Sequence, residues 1–357
     1  MLIIEATNKE SVLAAAHQNP SLHVRGGGSK TALATLAPVL VDLSGLHGVL
    51  AYEPNEFTFT ALAGTPIRTI NELLGQHGQY LPFDPLLADK GATLGGTVAA
   101  NSGGPGRYRY GGVRDFILGV QFVDGRGQLV QAGGKVVKNA AGFDIPKLMV
   151  GSLGQLGILL ELTFKVFPQP QAYSTLKFTT DSLEAALNTM RRLFTAPLEL
   201  DALDLTPPAT LWLRQGGVTA TLRPRLLQLQ QFVGGGDVLT TEEDLAFWHS
   251  RRELTWVPNG ATVVKIPLTP QRIPALEAAL APYAPERHYS AGGNVAWVAW
   301  SESVNELSHL LHDQQLRGLA LLGQTMNNPL LGLPQANAFT HRVKTALDPD
   351  GKFGPGS

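Results

Sequence analysis

Glycine placement constrains this chain more than any other feature. Its 39 glycines concentrate between residues 91 and 157, and a separate run of three stands at Gly26-Gly27-Gly28. Glycine weakens helices and strands, but it admits left-handed backbone and lets the main chain approach a neighbour or ligand closely. Glycine gathered in this way implies a fold organised around loops that touch something.

The first such loop, VRGGGSK (24–30), fits neither familiar phosphate motif. A P-loop needs glycine directly before the lysine and again five positions earlier, where Ser29 and Val24 stand. A G-x-G-x-x-G run from Gly26 needs glycine at 31, and Thr31 is there. Two readings stay open at this point. The loop is an ordinary glycine turn, or its successive N–H groups form an anion nest. In the second case each charge-assisted bond contributes about 1.5–3 kcal/mol, with a hydroxyl from Ser29 and a charge from Arg25 or Lys30.

Residues 91–116, GATLGGTVAANSGGPGRYRYGGVRDF, are too glycine-rich and too apolar for a flexible linker. The TLGGTVAAN run reads as a short helix whose N-terminus offers unpaired N–H groups to an anion. In residues 133–162, Gly151, Gly154 and Gly157 lie three apart just before a strand. That spacing lets backbone pack flat against something planar, or simply admits the chain to a buried strand.

Whole-chain totals exclude several function classes. At 357 residues there is room for two or three domains. A formal net charge of -1 gives no basic field for nucleic acid. The absence of Cys excludes disulfides, cysteine-held iron–sulfur clusters and thiol catalysis. MLIIEATNKE does not read as a signal peptide, and no apolar run reaches the length of a membrane span. The expected location is cytoplasmic, with any membrane association made through partners.

Along the chain, Thr7 with Glu10 reads as a capping box for a helix to about residue 18. Strands are expected at 22–25, 37–43, 47–53 and 57–64, and Thr65-Pro66 opens a helix to about Gln76. A long strand at 157–170 closes on two prolines. After Pro170 glycine thins out, and strand and helix patterns alternate to about residue 323. Residues 334–348 read as one helix, and no internal repeat of fixed period is visible. The fold class is α+β, with a first domain over 1–170 completed by a C-terminal segment (326–357), and a smaller α+β cap over 171–325.

Together the glycine stretches resemble the flavin-binding domain of the vanillyl-alcohol oxidase / p-cresol methylhydroxylase (PCMH-type) family, and within it the FAD-binding subunits of glycolate oxidases. Arg25, Gly26, Gly27, Gly28, Ser29 and Lys30 match the family's pyrophosphate loop. Thr93, Gly95, Gly96 and Thr97, then Asn101, match its T-(I/L)-G-G-x-x-A-x-N segment, which lines the flavin, with Ser102 and Gly104 following. Lys135-Val136-Val137-Lys138-Asn139, Ala141-Gly142-Phe143-Asp144 and Lys147-Leu148 resemble its K-N-x-A-G-(Y/F)-D-x-x-K-L run. Gly151-Ser152-Leu153-Gly154-Gln155-Leu156-Gly157-Ile158 matches G-S-x-G-x-L-G-I, which brings Gly154, Gly157 and Ile158 to the flavin. Leu347-Asp348-Pro349-Asp350-Gly351 with Pro355-Gly356 resembles its closing motif, Gly354 replacing an Asn. The likeness covers about 20–170 and 343–356 and is thin between.

The resemblance implies a PCMH-type fold and non-covalent FAD, since no His stands at 26–31. It further implies a subunit of a complex that oxidises a small 2-hydroxy acid, glycolate to glyoxylate. A larger flavoprotein subunit and an iron–sulfur subunit would accompany it. Larger relatives often carry H-x-G-D-G-N-x-H, whose histidines hold a metal; here the corresponding positions are Tyr289, Gly292 and Ala296, so no metal site is expected. His288 reads as a surface or core histidine before a lone ligand. Arg107 and Arg109 are the candidates for clamping a substrate carboxylate, the alternatives being cofactor phosphate or solvent. Arg251-Arg252 reads as a solvated face, VGGGDV (233–238) as a turn, and Trp248, Trp297 and Trp300 as core or subunit contact. The alternative function is a non-catalytic flavin-carrying scaffold or electron relay.

Overall fold

In the computed structural model, residues 1–34, 38–134, 144–326, 328–334 and 338–354 are described. Expectations for 135–143 and for Pro355-Gly356 therefore lie outside the described residues. Among the described residues three larger β-sheets carry the fold, beside a two-stranded pairing of Gln79–Tyr80 with Phe167–Pro168. A parallel three-stranded sheet has the order Leu2–Glu5, Val39–Asp42, His23–Arg25. An antiparallel five-stranded sheet has the order Val49–Glu53, Thr58–Leu62, Ile158–Lys165, Ile117–Val123, Leu129–Gly133. Its central strand, ILLELTFK, is paired on both edges and buries alternate residues into a core with Phe59, Phe83 and Phe122.

The third sheet has nine strands: Asp237–Val238, Ala172–Thr179, Thr210–Gly217, Ala202–Thr206, Glu286–Ser290, Val295–Trp300, Thr262–Pro267, Arg317–Leu322 and Leu330–Gly332. It holds a repeat that the sequence hides. Each half is a strand–helix–strand–strand–helix–strand unit of ferredoxin-like order, beginning at Ala172 and again at Thr262. The second strands of the two units join antiparallel at Leu205 and Tyr289. Only topology repeats, because each position needs merely an apolar residue of suitable size. The last strand, Leu330–Gly332, carries this sheet past the boundary expected at 325.

Two helix starts differ from expectation. Asn8, not Thr7, caps the Lys9–Gln18 helix, in a capping box with Ser11. Thr65 does not cap the Ile67–Gly75 helix. Its hydroxyl donates to Leu62 O at 2.7 Å and accepts from Gly48 N at 2.9 Å, tying the strand end to the preceding turn.

The chain's end returns to the first sheets. Leu22 N donates to Lys352 O at 3.0 Å and Gly125 N to Leu347 O at 2.8 Å. Lys344, on the helix Ala338–Leu347, reaches Gln155 O at 2.6 Å and Asp348 at 2.5 Å. Among the described residues no helix is long and apolar enough to cross a membrane.

Candidate functional site

A cleft of about 370 Å³ opens where the glycine loop meets the segment after the Arg317–Leu322 strand. Arg25 through Lys30 form one wall, Gly95, Gly96, Ala99 and Ala100 the floor, and Gly154, Gly157, Met326 and Leu330 the rest. Of the candidate cofactor residues, Arg25, Gly26, Gly27, Gly28, Ser29, Lys30, Thr93, Gly95, Gly96, Gly154 and Gly157 are brought together there. Thr97, Asn101, Ser102, Gly104 and Ile158 do not line it.

The glycine loop is shaped by what it packs against. A Cβ on Gly27 would lie 1.8 Å from Gly91 O, and one on Gly26 2.3 Å from the Thr93 hydroxyl. Gly28 has a left-handed backbone at φ +67. The N–H groups of Gly27, Gly28 and Ser29 donate to no described residue, which leaves them available to an acceptor in the cleft. Arg25 is otherwise engaged: its guanidinium pairs with Asp42 at the base of the loop. Lys30 is buried, and that burial lowers its ammonium to about 8.

The helix Leu94–Ala99 departs from expectation. Its first N–H groups are already taken: Leu94 N by Thr65 O at 2.9 Å, Gly95 N by Ala63 O at 2.7 Å, and Gly96 N by the Thr93 hydroxyl at 3.3 Å. This end is therefore no anion site. Gly95 is small because a Cβ there would meet Ala63 at 2.8 Å, so the helix lies close on the Thr58–Leu62 strand and leaves the cleft open above it.

The remaining candidates sit behind the cleft. Ile158 is core, packed with Leu160 and Phe353. Gly104 donates to Asp84 O at 2.7 Å. The hydroxyls of Thr97, Ser102 and Ser152 are buried without a hydrogen-bond partner among the described residues, and orphaned groups of that kind call for a partner from a ligand or water. Asn101 adopts left-handed backbone at φ +46, and its carbonyl accepts from Lys265 Nζ at 2.6 Å.

Arg109 proves to be committed elsewhere. It donates to Glu199 at 3.1 Å and to Asp201 at 3.4 Å on the nine-stranded sheet side. Arg107, on the same short helix Arg107–Tyr110, makes no side-chain hydrogen bond or ion pair with a described residue. Burial lowers its basicity, against the attraction of Asp115.

One face of the nine-stranded sheet turns toward the first half of the chain. The register sets Thr206, His288, Trp297, Lys265 and Leu319 in one row across it. Arg251 is no solvated residue: it donates to Thr206 at 2.9 Å and bonds His288 Nδ1 at 3.0 Å. Burial and the Arg251 charge hold His288 well below its ordinary value, so it is neutral and Nδ1 is the acceptor. Tyr289 and Ala296 point the other way, into the core beneath the helices, where the Tyr289 hydroxyl donates to Glu277 at 2.5 Å. Trp248 and Trp300 are buried core, and Trp297 packs against the five-stranded sheet's core. Among the described residues no group of three or more His, Cys, Asp or Glu is arranged to hold a metal ion.

Comparison with known proteins bears on what such a cleft is for. The family model described as "FAD binding domain" matches residues 4–133. Glycolate oxidase subunit GlcE of Escherichia coli (strain K12) is 31% identical over 97% of this chain and 95% of its own length. D-lactate dehydrogenase of Anaerostipes hadrus is 31% identical over 57% of this chain and 44% of its own. Glycolate oxidase subunit GlcD of Bacillus subtilis (strain 168) is 28% identical over 58% and 49%. Among solved structures, alkyldihydroxyacetonephosphate synthase superposes over 98% of this chain and 76% of that one, with a TM-score of 0.73 at 14% identity, a likeness of fold.

Proposed function

The chain belongs to the PCMH-type FAD-binding family, and on that premise we propose that it carries FAD non-covalently in this cleft and oxidises a small 2-hydroxy acid, glycolate to glyoxylate, as a subunit of a glycolate oxidase-like complex. One observation carries the reading: the relation to a glycolate oxidase subunit runs end to end, over 97% of one chain and 95% of the other. The cleft supports it. Gly27, Gly28 and Ser29 offer a diphosphate N–H groups that no described residue accepts, with Lys30 beside them. Ala63, Ala99, Ala100, Leu153 and Leu159 supply apolar lining for a planar ring.

When bound, FAD supplies the acceptor for a hydride equivalent from the substrate carbon. The protein's part is to fix the acid by its carboxylate, to exclude water and to take up the hydroxyl proton. With no Cys in the chain, a cysteine-held cluster must come from a partner. The partners we assign are a larger flavoprotein subunit and an iron–sulfur subunit.

A second reading, a flavin-carrying scaffold or relay, is favoured by one feature. Tyr289 and Ala296, where larger relatives often carry histidines, face the core beneath the helices and not the face that packs on the five-stranded sheet's core. The test is an anaerobic visible spectrum of the FAD-loaded chain before and after glycolate. Bleaching supports oxidation by this chain; an unchanged flavin spectrum supports the scaffold, and failure to bind FAD sinks both.

A further inference from the structure

The helix Ala338–Leu347 has no fully buried residue, so apolar packing does little to decide where it sits. Polar contacts do. Gly125 N donates to Leu347 O at 2.8 Å, and Arg126 Nη1 donates to Ala346 O at 3.3 Å. Lys344 reaches further. An ammonium has three donors, and here they meet three different acceptors: Gln155 O at 2.6 Å, Asp348 at 2.5 Å, and Phe353 O.

Those acceptors belong to opposite walls of the cleft. Gln155 stands between Gly154 and Gly157, and all three line it. Both glycines have positive φ, +77 and +152, so no side-chain preference fixes this stretch of backbone. A bond to its carbonyl does. Phe353 is buried with Leu22 in one core cluster, and the next residue, Gly354, lines the cleft as well. Leu22 N donates to Lys352 O at 3.0 Å, and Leu22 and Phe353 form a parallel bridge. The strand His23–Arg25 follows at once and leads into the glycine loop. Residues 348–353 are themselves fixed, since the Asp348 carboxylate accepts from Lys352 N and Phe353 N at 2.8 Å each. One ammonium therefore ties the strand behind the glycine loop to the wall at 154–157. Lys344 itself does not line the cleft.

We propose that Lys344 is a positioning residue for the cofactor: it fixes the separation of the two walls, and FAD affinity depends on it although it does not touch FAD. This rests on the reading that the cleft takes FAD.

The test compares the full chain as wild type, Lys344→Met, Lys344→Arg and Gly354→Ala. FAD affinity is read from recovery of flavin fluorescence on dilution, and stability from the thermal midpoint of the FAD-free proteins. Lys344→Met keeps the aliphatic stem but leaves Gln155 O and Phe353 O without this donor. It should bind FAD about tenfold or more weakly. Lys344→Arg, whose fork serves two acceptors at once, should come within about threefold of wild type. A purely structural lysine would lower the FAD-free midpoint of Lys344→Met and leave its FAD affinity at the wild-type value. That outcome overturns the role, and so does equal weakening in Met and Arg. Should Lys344→Met fail to fold, Gly354→Ala decides. Its Cβ would stand 3.2 Å from Gln155 Cγ, pressing on the same wall without removing a charge, and it should weaken FAD binding. Wild-type affinity in Gly354→Ala would then overturn the role. No FAD binding by wild type sinks the reading of the cleft; FAD binding by wild type with unchanged variants sinks the role of Lys344 alone.

Discussion

Arg109 and Asp201 face each other across the seam between the glycine-rich half and the nine-stranded sheet, with Arg109 Nη1 3.4 Å from both carboxylate oxygens. Asp201 is the more buried partner, its side chain 6% exposed against 28% for Arg109. It also accepts from the Tyr110 hydroxyl at 3.3 Å and from the Gly216 N–H. The pair is a clasp between halves, which is why Arg109 is poorly placed to serve a substrate.

Removing the carboxylate should therefore loosen the seam. Asp201→Ala leaves the buried Gly216 N–H without its acceptor and the Arg109 guanidinium with Glu199 alone, and we expect a loss of about 1–3 kcal/mol. Chemical denaturation measures it. An unchanged midpoint would mean that the seam is held by apolar packing alone.

The glycine loop makes a sharper demand. In Gly27→Ala the new Cβ meets Gly91 O, main chain against main chain, so neither side can turn away. The protein should remain folded by circular dichroism and bind FAD about tenfold or more weakly. Gly154→Ala is the control. Its Cβ meets open space, but its φ of +77 imposes about 1 kcal/mol of backbone strain. Equal FAD affinity in wild type and Gly27→Ala would show that the loop has room to spare.

Much of this was legible in the sequence, and what was not is non-local. Strand periodicity and glycine clusters located three strands of the five-stranded sheet and the loop, because those signals are written in neighbouring residues; Ile117–Val123 and Leu129–Gly133 were not expected. The occupied N-terminus of the Leu94–Ala99 helix was not legible, since its acceptors Ala63 and Thr65 come from the turn after the Thr58–Leu62 strand, about thirty residues earlier. Arg251 looked solvated for the same reason. Thr206 and His288, its partners, stand on two other strands and meet it only when the sheet forms. The repeated unit left no trace because topology, not residue identity, is what repeats.

Two buried groups on that sheet should give opposed pH effects. His288 is neutral in the fold, held well below its ordinary value by burial and then by Arg251. The unfolded chain binds that proton near 6.5, so this term removes stability as pH falls below about 6.5, by at most about 1.4 kcal/mol per unit. Asp204 runs the other way. Burial raises it to about 6, against the pull of Arg251. The native state therefore holds a proton that the unfolded state releases above about 4. Its contribution is full below about 4 and is lost as pH rises through 6. Between 4 and 6 the two terms oppose. Asp204→Asn should make the protein more acid-sensitive than wild type and His288→Gln less so, read from denaturation midpoints at pH 4.5, 5.5 and 7.5. Parallel pH curves for all three proteins would refute the assignment.

Lys30 ties the cleft's charge to pH in a way that can be separated from the loop's backbone. Lys30 lines the cleft beside N–H groups that no described residue accepts, and burial lowers its ammonium to about 8. A bound diphosphate favours the charged form, so FAD affinity should be full below pH 8 and decline as the amine deprotonates above it. Lys30→Met should bind FAD about tenfold more weakly at pH 7, the equivalent of one charge-assisted bond. Its affinity should then stay flat between pH 7 and 9, because the backbone donors that remain do not titrate. Recovery of flavin fluorescence on dilution measures both. A wild-type affinity that is equally flat would mean that the diphosphate is held by main-chain N–H groups without help from the lysine.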